Sequence, residues 1–334
     1  MAPNPLMALP HVDDDRLRVE EELRAAVRAP TDALTEMAGH LIGAGGKRVR
    51  PLFAVAAAAC APDHEGPASV DVIRGGVSVE LVHLGSLYHD DVIDEAVTRR
   101  GIESVNSRWG NLRAILAGDF LLAKASEIAA SLGTEVAGLL AATIGRLCEG
   151  EVLELQDAYQ VTRTEEAYLA SIEGKTASLL SSACRIGGIV GGLPRADIDR
   201  LTEFGRTYGM AFQVVDDVLD VIATDEQLGK PAGHDLIEGA YNLPVLRALQ
   251  GPAGEELRDI LGAPIEGEVW ERARSLVRSS DAVDESIAVA RDFVADANEL
   301  LAPLEDRPAA MALQGAARHL LDSLHEVRAA ATPA

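Results

Sequence analysis

Apolar residues recur at three- and four-residue intervals along almost the whole chain, with Ala, Leu, Glu and Arg dominating, a spacing that predicts amphipathic helices throughout. No stretch alternates apolar and β-branched positions in the manner of a strand, so no strand is expected. The pattern breaks at Pro30, "APDHEGP" (61–67), "RRGIESVNSRWGN" (99–111), "GGLPRAD" (191–197), "TDEQLGKPAGHDLIEGAYNLP" (224–244) and "GAPIEGE" (262–268). None of these is long or polar enough to be an interdomain linker. The expectation is one all-α domain over residues 1–334, a helical bundle of about ten or more helices, with flexible tails at about 1–12 and 328–334.

The most apolar runs are too short, or too interrupted by Asp119, Lys124, Glu127 and Glu135, to span a bilayer core of about 30 Å. Hydrophobic residues make up 48% and charged residues 25% of the 334, so a large core is available. The net charge of −23 argues against general affinity for nucleic acid or anionic membranes, both of which need concentrated Lys and Arg. Three scattered cysteines, Cys60, Cys148 and Cys184, form no metal-ligand pattern or disulfide framework and are expected to be buried packing residues in a reducing compartment. The N-terminus has no basic segment ahead of an apolar one, so a cytoplasmic location is expected. "IGGIVGGLP" (186–194) follows no strand and fits no phosphate-loop fingerprint; it reads as helix termination before Pro194.

Two helical runs change the picture. "LYHDDVIDEAVTRRG" (87–101) carries Asp90, Asp91 and Asp94, and "FQVVDDVLDV" (212–221) repeats the spacing at Asp216, Asp217 and Asp220. Residues four apart on a helix share a face about 6 Å apart, so each run presents a carboxylate column. Such columns repel internally unless a cation compensates, and Mg²⁺ is suited to bridging a few carboxylates to substrate phosphates. The plainer alternative is two acidic, solvated helix faces. Against it stand basic clusters in an otherwise acidic chain: Lys47, Arg48 and Arg50 in "GAGGKRVRP" (43–51), Arg99 and Arg100, Lys175 beside Thr176, and Lys230. Acidic columns alternating with basic turns suit an anion held through metal on one side and directly by Arg and Lys on the other.

Taken in order, "GGKRVRP", "HLGSLYHDDVIDEAVTRRG", "VNSRWGNLRAILAGDFLLA", "KTASLLSSA", "FQVVDDVLDV" and "GKPAGHDLIEG" resemble the motifs of the trans-isoprenyl diphosphate synthases, the polyprenyl synthetase family, from about residue 30 to 325. The resemblance implies an isoprenoid synthase-type bundle around a deep central cavity, usually as a homodimer, that joins isopentenyl diphosphate to an allylic diphosphate. It implies Mg²⁺, three ions with bound diphosphate, on Asp90, Asp91, Asp94, Asp216, Asp217 and Asp220. Lys47, Arg50, His83 and Arg100 look like the isopentenyl diphosphate pocket, and Arg99, Lys175 and Lys230 like the allylic diphosphate pocket. Lys175, Thr176 and Gln213 resemble the catalytic set, the last two lying near the developing carbocation. No nucleic acid partner or transmembrane segment is implied.

One departure stands out: where members of the family often carry Lys and Thr, this chain has Ala240 and Asn242, so a diphosphate contact is missing. Product length is read from the residues one turn before the first column, which act as a floor for the growing chain. Gly85 and Ser86 are small here, and Val82 and Val79 below them are of medium size, so a medium- to long-chain all-trans product is expected, with geranylgeranyl or farnesyl diphosphate as the alternative. A second account of Gly85 is that it only permits close helix packing. A class I terpene cyclase would replace the second column with a different metal motif and needs no "GGKRVRP", and a silent subunit of a heteromeric synthase would lose aspartates that are all present.

Overall fold

Why two acidic columns meet is explained by the two longest interior helices. The computed structural model describes residues 4–62, 64, 66–224, 227 and 232–331. Its helices are α1 (Val12–Ala26), α2 (Asp32–Gly43), α3 (Val49–Ala58), α4 (Val70–Ile93), α5 (Val105–Trp109), α6 (Asn111–Ser131), α7 (Thr134–Gln156), α8 (Glu165–Ile172), α9 (Ser178–Val190) and α10 (Arg195–Ile222). There follow α11 (His234–Glu238), α12 (Leu243–Gln250), α13 (Gly254–Ile260), α14 (Gly267–Arg278), α15 (Ala282–Leu301) and α16 (Pro308–Ala331). Helix α4 is apolar or small on every face and is therefore enclosed, packed on α3, α6 and α9, with Ser69 capping its start by accepting from the Val72 amide at 3.2 Å. Helix α10 lies against α9, α15 and α16, and one continuous hydrophobic core joins both helices. Among the described residues no helix is long and apolar enough to cross a membrane.

Both aspartate runs fall in the C-terminal part of their helices, Asp94 being the C-cap of α4 and Asp220 lying two residues before the end of α10. That is the negative end of the helix dipole, the wrong end for acids. The arrangement becomes favourable only with cations close by.

Two local structures bring cations there. After α4 the chain forms a two-stranded hairpin, Thr98–Arg99 paired with Ile102–Glu103, which the apolar spacing did not anticipate because each strand is only two residues long. Its loop residues Arg100 and Gly101 both have left-handed φ, 53° and 76°, as a two-residue loop of this hand requires. Between α8 and α9, Glu173–Ala177 form a single π-helical turn that carries Lys175 and Thr176. There Gly174 meets Gly150 of α7 so closely that a Cβ on Gly174 would lie 2.7 Å from the Arg146 carbonyl oxygen. Two glycines thus let the lysine-bearing turn touch α7.

Other expectations need correction. Residues 5–8 form a 3-10 turn whose Leu6 is fully buried, and α1 begins at Val12, so the expected N-terminal tail is docked from Pro5 onward; α16 likewise continues to Ala331. Cys60 and Cys184 are buried, but Cys148 is exposed because its face of α7 is open.

Candidate active site

The ends of α4 and α10, the π turn, α7 and α11 enclose a cavity of about 410 Å³. Its wall contains Asp90, Asp94, Asp216, Asp217, Asp235, Glu154 and Glu238, opposed by Arg50, His83, Arg99, Arg163 and Lys175. Carboxylates and cations that are far apart in sequence therefore share one space.

The six aspartates divide by position. Asp90, Asp94 and Asp216 line the cavity. Asp91 has no exposure; it accepts from Arg99 Nε at 2.6 Å, so it orients that arginine instead of facing the cavity as expected of a metal ligand. Asp217 reaches the wall but is held by the Tyr168 hydroxyl at 2.5 Å and Gln213 Nε2 at 2.8 Å. Asp220 is buried and is not among the described residues that line the cavity. Burial pushes Asp90 up to about 7, only partly opposed by Lys175 and reinforced by Glu151 and Asp94. Asp94 rises to about 6 through burial and the neighbouring Glu238, and Asp217 to about 7 because burial outweighs its two hydrogen bonds. Burial and the adjacent Asp220 and Asp217 raise Asp235 well above the usual carboxylate range.

Such a set of desolvated hard oxygens fits a hard divalent cation. Among the described residues no three acidic, His or Cys side chains converge into a complete binding cluster. An ion held here would draw the rest of its coordination from substrate oxygens and water.

Of the cations, Arg50 and His83 line the cavity. Arg50 Nε is buried without a hydrogen-bond partner, and burial lowers the pKa of this guanidinium. Burial, then Arg50 and Arg100, depress His83 well below its ordinary value, so it stands neutral in an electropositive corner. Arg100 does not reach the wall; it donates to the Gly45 carbonyl and ties the hairpin to the glycine turn before α3. Lys47 is exposed beside that turn and also lies off the cavity wall. Arg48 is structural, buried and bound to Glu20 at 2.6 Å and Glu80 at 3.2 Å. Lys175 is engaged by Glu151 at 2.8 Å and Glu154 at 2.6 Å, and although burial opposes its charge, these acids raise its pKa overall. Lys230 lies outside the described residues. Thr176 donates to Gln213 Oε1 at 2.7 Å, bringing the two polar groups together.

The sequence profile of the polyprenyl synthetase family matches residues 31–276. The chain belongs to that family. It is accordingly a prenyltransferase. It is 38% identical over 299 residues to the nonaprenyl diphosphate synthase of Mycobacterium tuberculosis, covering 89% of this chain and 88% of that protein. It is also 38% identical over 292 residues to heptaprenyl diphosphate synthase component 2 of Geobacillus stearothermophilus, covering 87% and 90%. Its fold is similar, with a TM-score of 0.82 and 37% identity over 94% of this chain and 98% of the other, to the geranylgeranyl pyrophosphate synthase of Corynebacterium glutamicum complexed with calcium and isoprenyl diphosphate.

For a prenyltransferase the second requirement is space for an apolar chain. A groove of about 250 Å³ adjoins the carboxylate cavity and shares Ser86, Asp90 and Leu147 with it. Val82 and Ser86 line this groove; Val79 is buried beneath, off its wall. Gly85 turns the other way, where an added Cβ would lie 3.1 Å from the Gly118 carbonyl oxygen of α6. Close packing accounts for Gly85, so it is not part of a floor.

Several polar cavity residues, Glu238 among them, went unnoticed in the sequence. Arg163 and Tyr168 carry no acidic-box signal, and Glu154 was hidden in an apolar helix. Asp235 was within reach, because "GHD" lies inside a quoted motif and an acid beside two glycine breaks could have been marked.

Proposed function

We propose that the protein condenses isopentenyl diphosphate head-to-tail onto an allylic diphosphate, with Mg²⁺, to give a medium- to long-chain all-trans polyprenyl diphosphate. The observation that carries this reading is the continuity of the carboxylate cavity with an apolar groove through Ser86, Asp90 and Leu147. When bound, Mg²⁺, proposed as three ions with diphosphate, neutralises charge that develops on the leaving group. Asp90, Asp94 and Asp216 are the residues that would hold it, and Arg99, Lys175 and Lys230 are assigned to the same diphosphate. Arg50 and the neutral His83 offer donors to isopentenyl diphosphate, and Lys47 and Arg100, off the cavity wall, are assigned to the same substrate. Thr176 and Gln213 face the space where the allylic cation forms, and the apolar wall excludes water that would quench it. The proton released after attack goes to diphosphate oxygen, so no separate base is required.

The homodimer is proposed on an exposed apolar face of α6 and α7, where Leu112, Leu116, Val152 and Leu155 are each half or more exposed. A heteromeric assembly is the second reading, since a relative is named as a component. Light scattering of the purified chain decides between them, a dimer of this chain alone supporting the first. The function itself is tested by incubating the protein with Mg²⁺, labelled isopentenyl diphosphate and farnesyl diphosphate and sizing the dephosphorylated products. Products longer than geranylgeraniol are expected; products that stop there contradict the chain length, and no product contradicts the activity.

A further inference from the structure

The cavity wall contains an unbroken line of hydrogen bonds whose polarity is set from one end. Tyr168, on α8 and 2% exposed, donates its hydroxyl to Asp217 Oδ2 at 2.5 Å. The other oxygen of that carboxylate accepts from Gln213 Nε2 at 2.8 Å, and Gln213 Oε1 accepts from Thr176 Oγ1 at 2.7 Å. Beneath the Tyr168 ring the Arg163 guanidinium lies 5.6 Å from the centroid. It is fixed by the Tyr241 carbonyl at 3.1 Å and the Ser171 hydroxyl at 2.6 Å, so the ring sits on a rigid base.

Each link dictates the next. Both oxygens of the Asp217 carboxyl are taken up as acceptors, Oδ2 by the Tyr168 hydroxyl and Oδ1 by Gln213 Nε2, so the Gln213 amide turns its NH₂ towards Asp217. The amide oxygen then points at Thr176 and takes its hydroxyl hydrogen. What remains of the Thr176 hydroxyl is lone pairs, the negative end of its dipole, on a residue that lines the cavity. In a site closed to water the sign of that dipole matters greatly for a cation nearby.

We propose that Tyr168 is a positioning residue: it locks the Asp217–Gln213–Thr176 line so that Thr176 presents oxygen, never hydrogen, to the allylic cation. The inference rests on the condensation reading above and adds to it. Without the Tyr168 hydroxyl, Asp217 is free to swing towards the cavity cations, the amide can flip, and the threonine proton turns inward.

The test uses Tyr168→Phe, Thr176→Val and the double variant, assayed with farnesyl and isopentenyl diphosphates in Mg²⁺, with circular dichroism and melting to check the fold. Tyr168→Phe is expected to lower kcat about 10- to 100-fold while both KM values stay within about twofold. The double variant is expected to match Thr176→Val within about twofold, since residues of one chain do not lose their effect twice. If Tyr168→Phe does not fold, Gln213→Leu tests the same line with the same expected pattern. Unchanged kcat, a loss confined to KM, or multiplicative losses in the double variant overturn the positioning role. A wild type that makes no product overturns the condensation reading together with this one, whereas an active wild type with an unaffected Tyr168→Phe overturns this one alone.

Discussion

The column on α4 and the column on α10 share the same letters and spacing but live in different surroundings. On α4 the middle aspartate, Asp91, is neutralised by Arg99, and the outer two both face the cavity. On α10 the middle aspartate, Asp217, is met by the neutral donors Tyr168 and Gln213, and the third, Asp220, is turned into the protein beside Asp235. Among the described residues the repeated motif therefore gives two unequal half-sites, one backed by Arg99 and one with a further acid, Asp235, beside it. The first half-site is ready to hold an anion with little help. The second gains most from a cation supplied from outside.

The largest effects should come from the positions where the columns agree. Asp90→Ala and Asp216→Ala are each expected to lower kcat/KM by about 1,000-fold or more, because each removes a ligand from charge that builds only in the transition state. Asp91→Asn should instead leave Mg²⁺ affinity nearly unchanged and lower stability, by about 1 to 3 kcal/mol, through the charge left on Arg99. Steady-state kinetics, Mg²⁺ titration and thermal melting on the same three variants separate these outcomes. A weakened Mg²⁺ affinity in Asp91→Asn would show that the middle aspartate does reach the metal and that the division by position is wrong.

Next in size is the asymmetry in what lies one turn before each column. Only α4 offers a small residue, Ser86, on the wall between carboxylate cavity and apolar groove. Ser86→Phe should shift the products to geranylgeranyl diphosphate or shorter, read by sizing dephosphorylated products, with activity retained. Gly85→Phe should fail for another reason: its ring would be driven into the Gly118 backbone and Leu122, both 3.1 to 3.2 Å from an ideal Cβ. Overpacking of that kind costs about 1–3 kcal/mol or more, so the expected result is loss of soluble protein, with no clean shortening.

The helices, the two columns and most of the basic turns were legible because each rests on a local signal: helical spacing, like charges four apart, arginines beside glycine. Orientation was not. Whether Asp91 or Asp90 faces the cavity depends on Arg99 arriving from a hairpin whose strands are two residues long, below what periodicity can register. Gly85 and Ser86 are equally small and adjacent, yet the helix phase sends one into α6 and the other into the groove. Tyr168 and Arg163 escaped notice because their roles depend on α8 packing against α10, a contact between segments nearly fifty residues apart. Residue type and spacing disclose the chemistry a site has available, and long-range packing assigns who performs it.

A smaller effect is expected from pH. Asp90 and Asp94 titrate near 7 and 6 in the metal-free fold because burial disfavours their charge. Their folded values exceed the unfolded ones, so the stability they contribute is fully present at low pH and is lost as pH rises through about 6 to 7. Protons and Mg²⁺ compete for the same oxygens, so Mg²⁺ affinity should increase over that same interval. Calorimetric titration with Mg²⁺ at pH values on either side of it, alongside melting of the metal-free protein, checks both signs. An affinity that is flat across the interval would mean that the first column is already charged and that its surroundings are more polar than the burial implies.

The smallest effect tests the acidic side of the comparison directly. Ala240 lines the cavity near Asp235 and Glu238, in a stretch where Asn242 donates to Asp235 Oδ2 at 3.0 Å and caps α12. That amide satisfies one oxygen of Asp235 without adding charge, which leaves the second half-site acidic. Ala240→Lys would place an ammonium among these carboxyls, where it can either reach substrate diphosphate or be taken up by the acids around it. A charged hydrogen bond to diphosphate is worth about 1.5 to 3 kcal/mol at most, and competition from Asp235 and Glu238 reduces it. The expected outcome is a fall of about two- to tenfold in the KM of one diphosphate substrate, together with a lower Mg²⁺ requirement as the lysine takes over part of the cation's work. Both are read from initial rates at varied substrate and Mg²⁺. If KM and Mg²⁺ dependence stay as in the wild type, the lysine has paired with the local acids alone, and the acidity of the second half-site is a property of its buried carboxyls that a cation at this position does not alter.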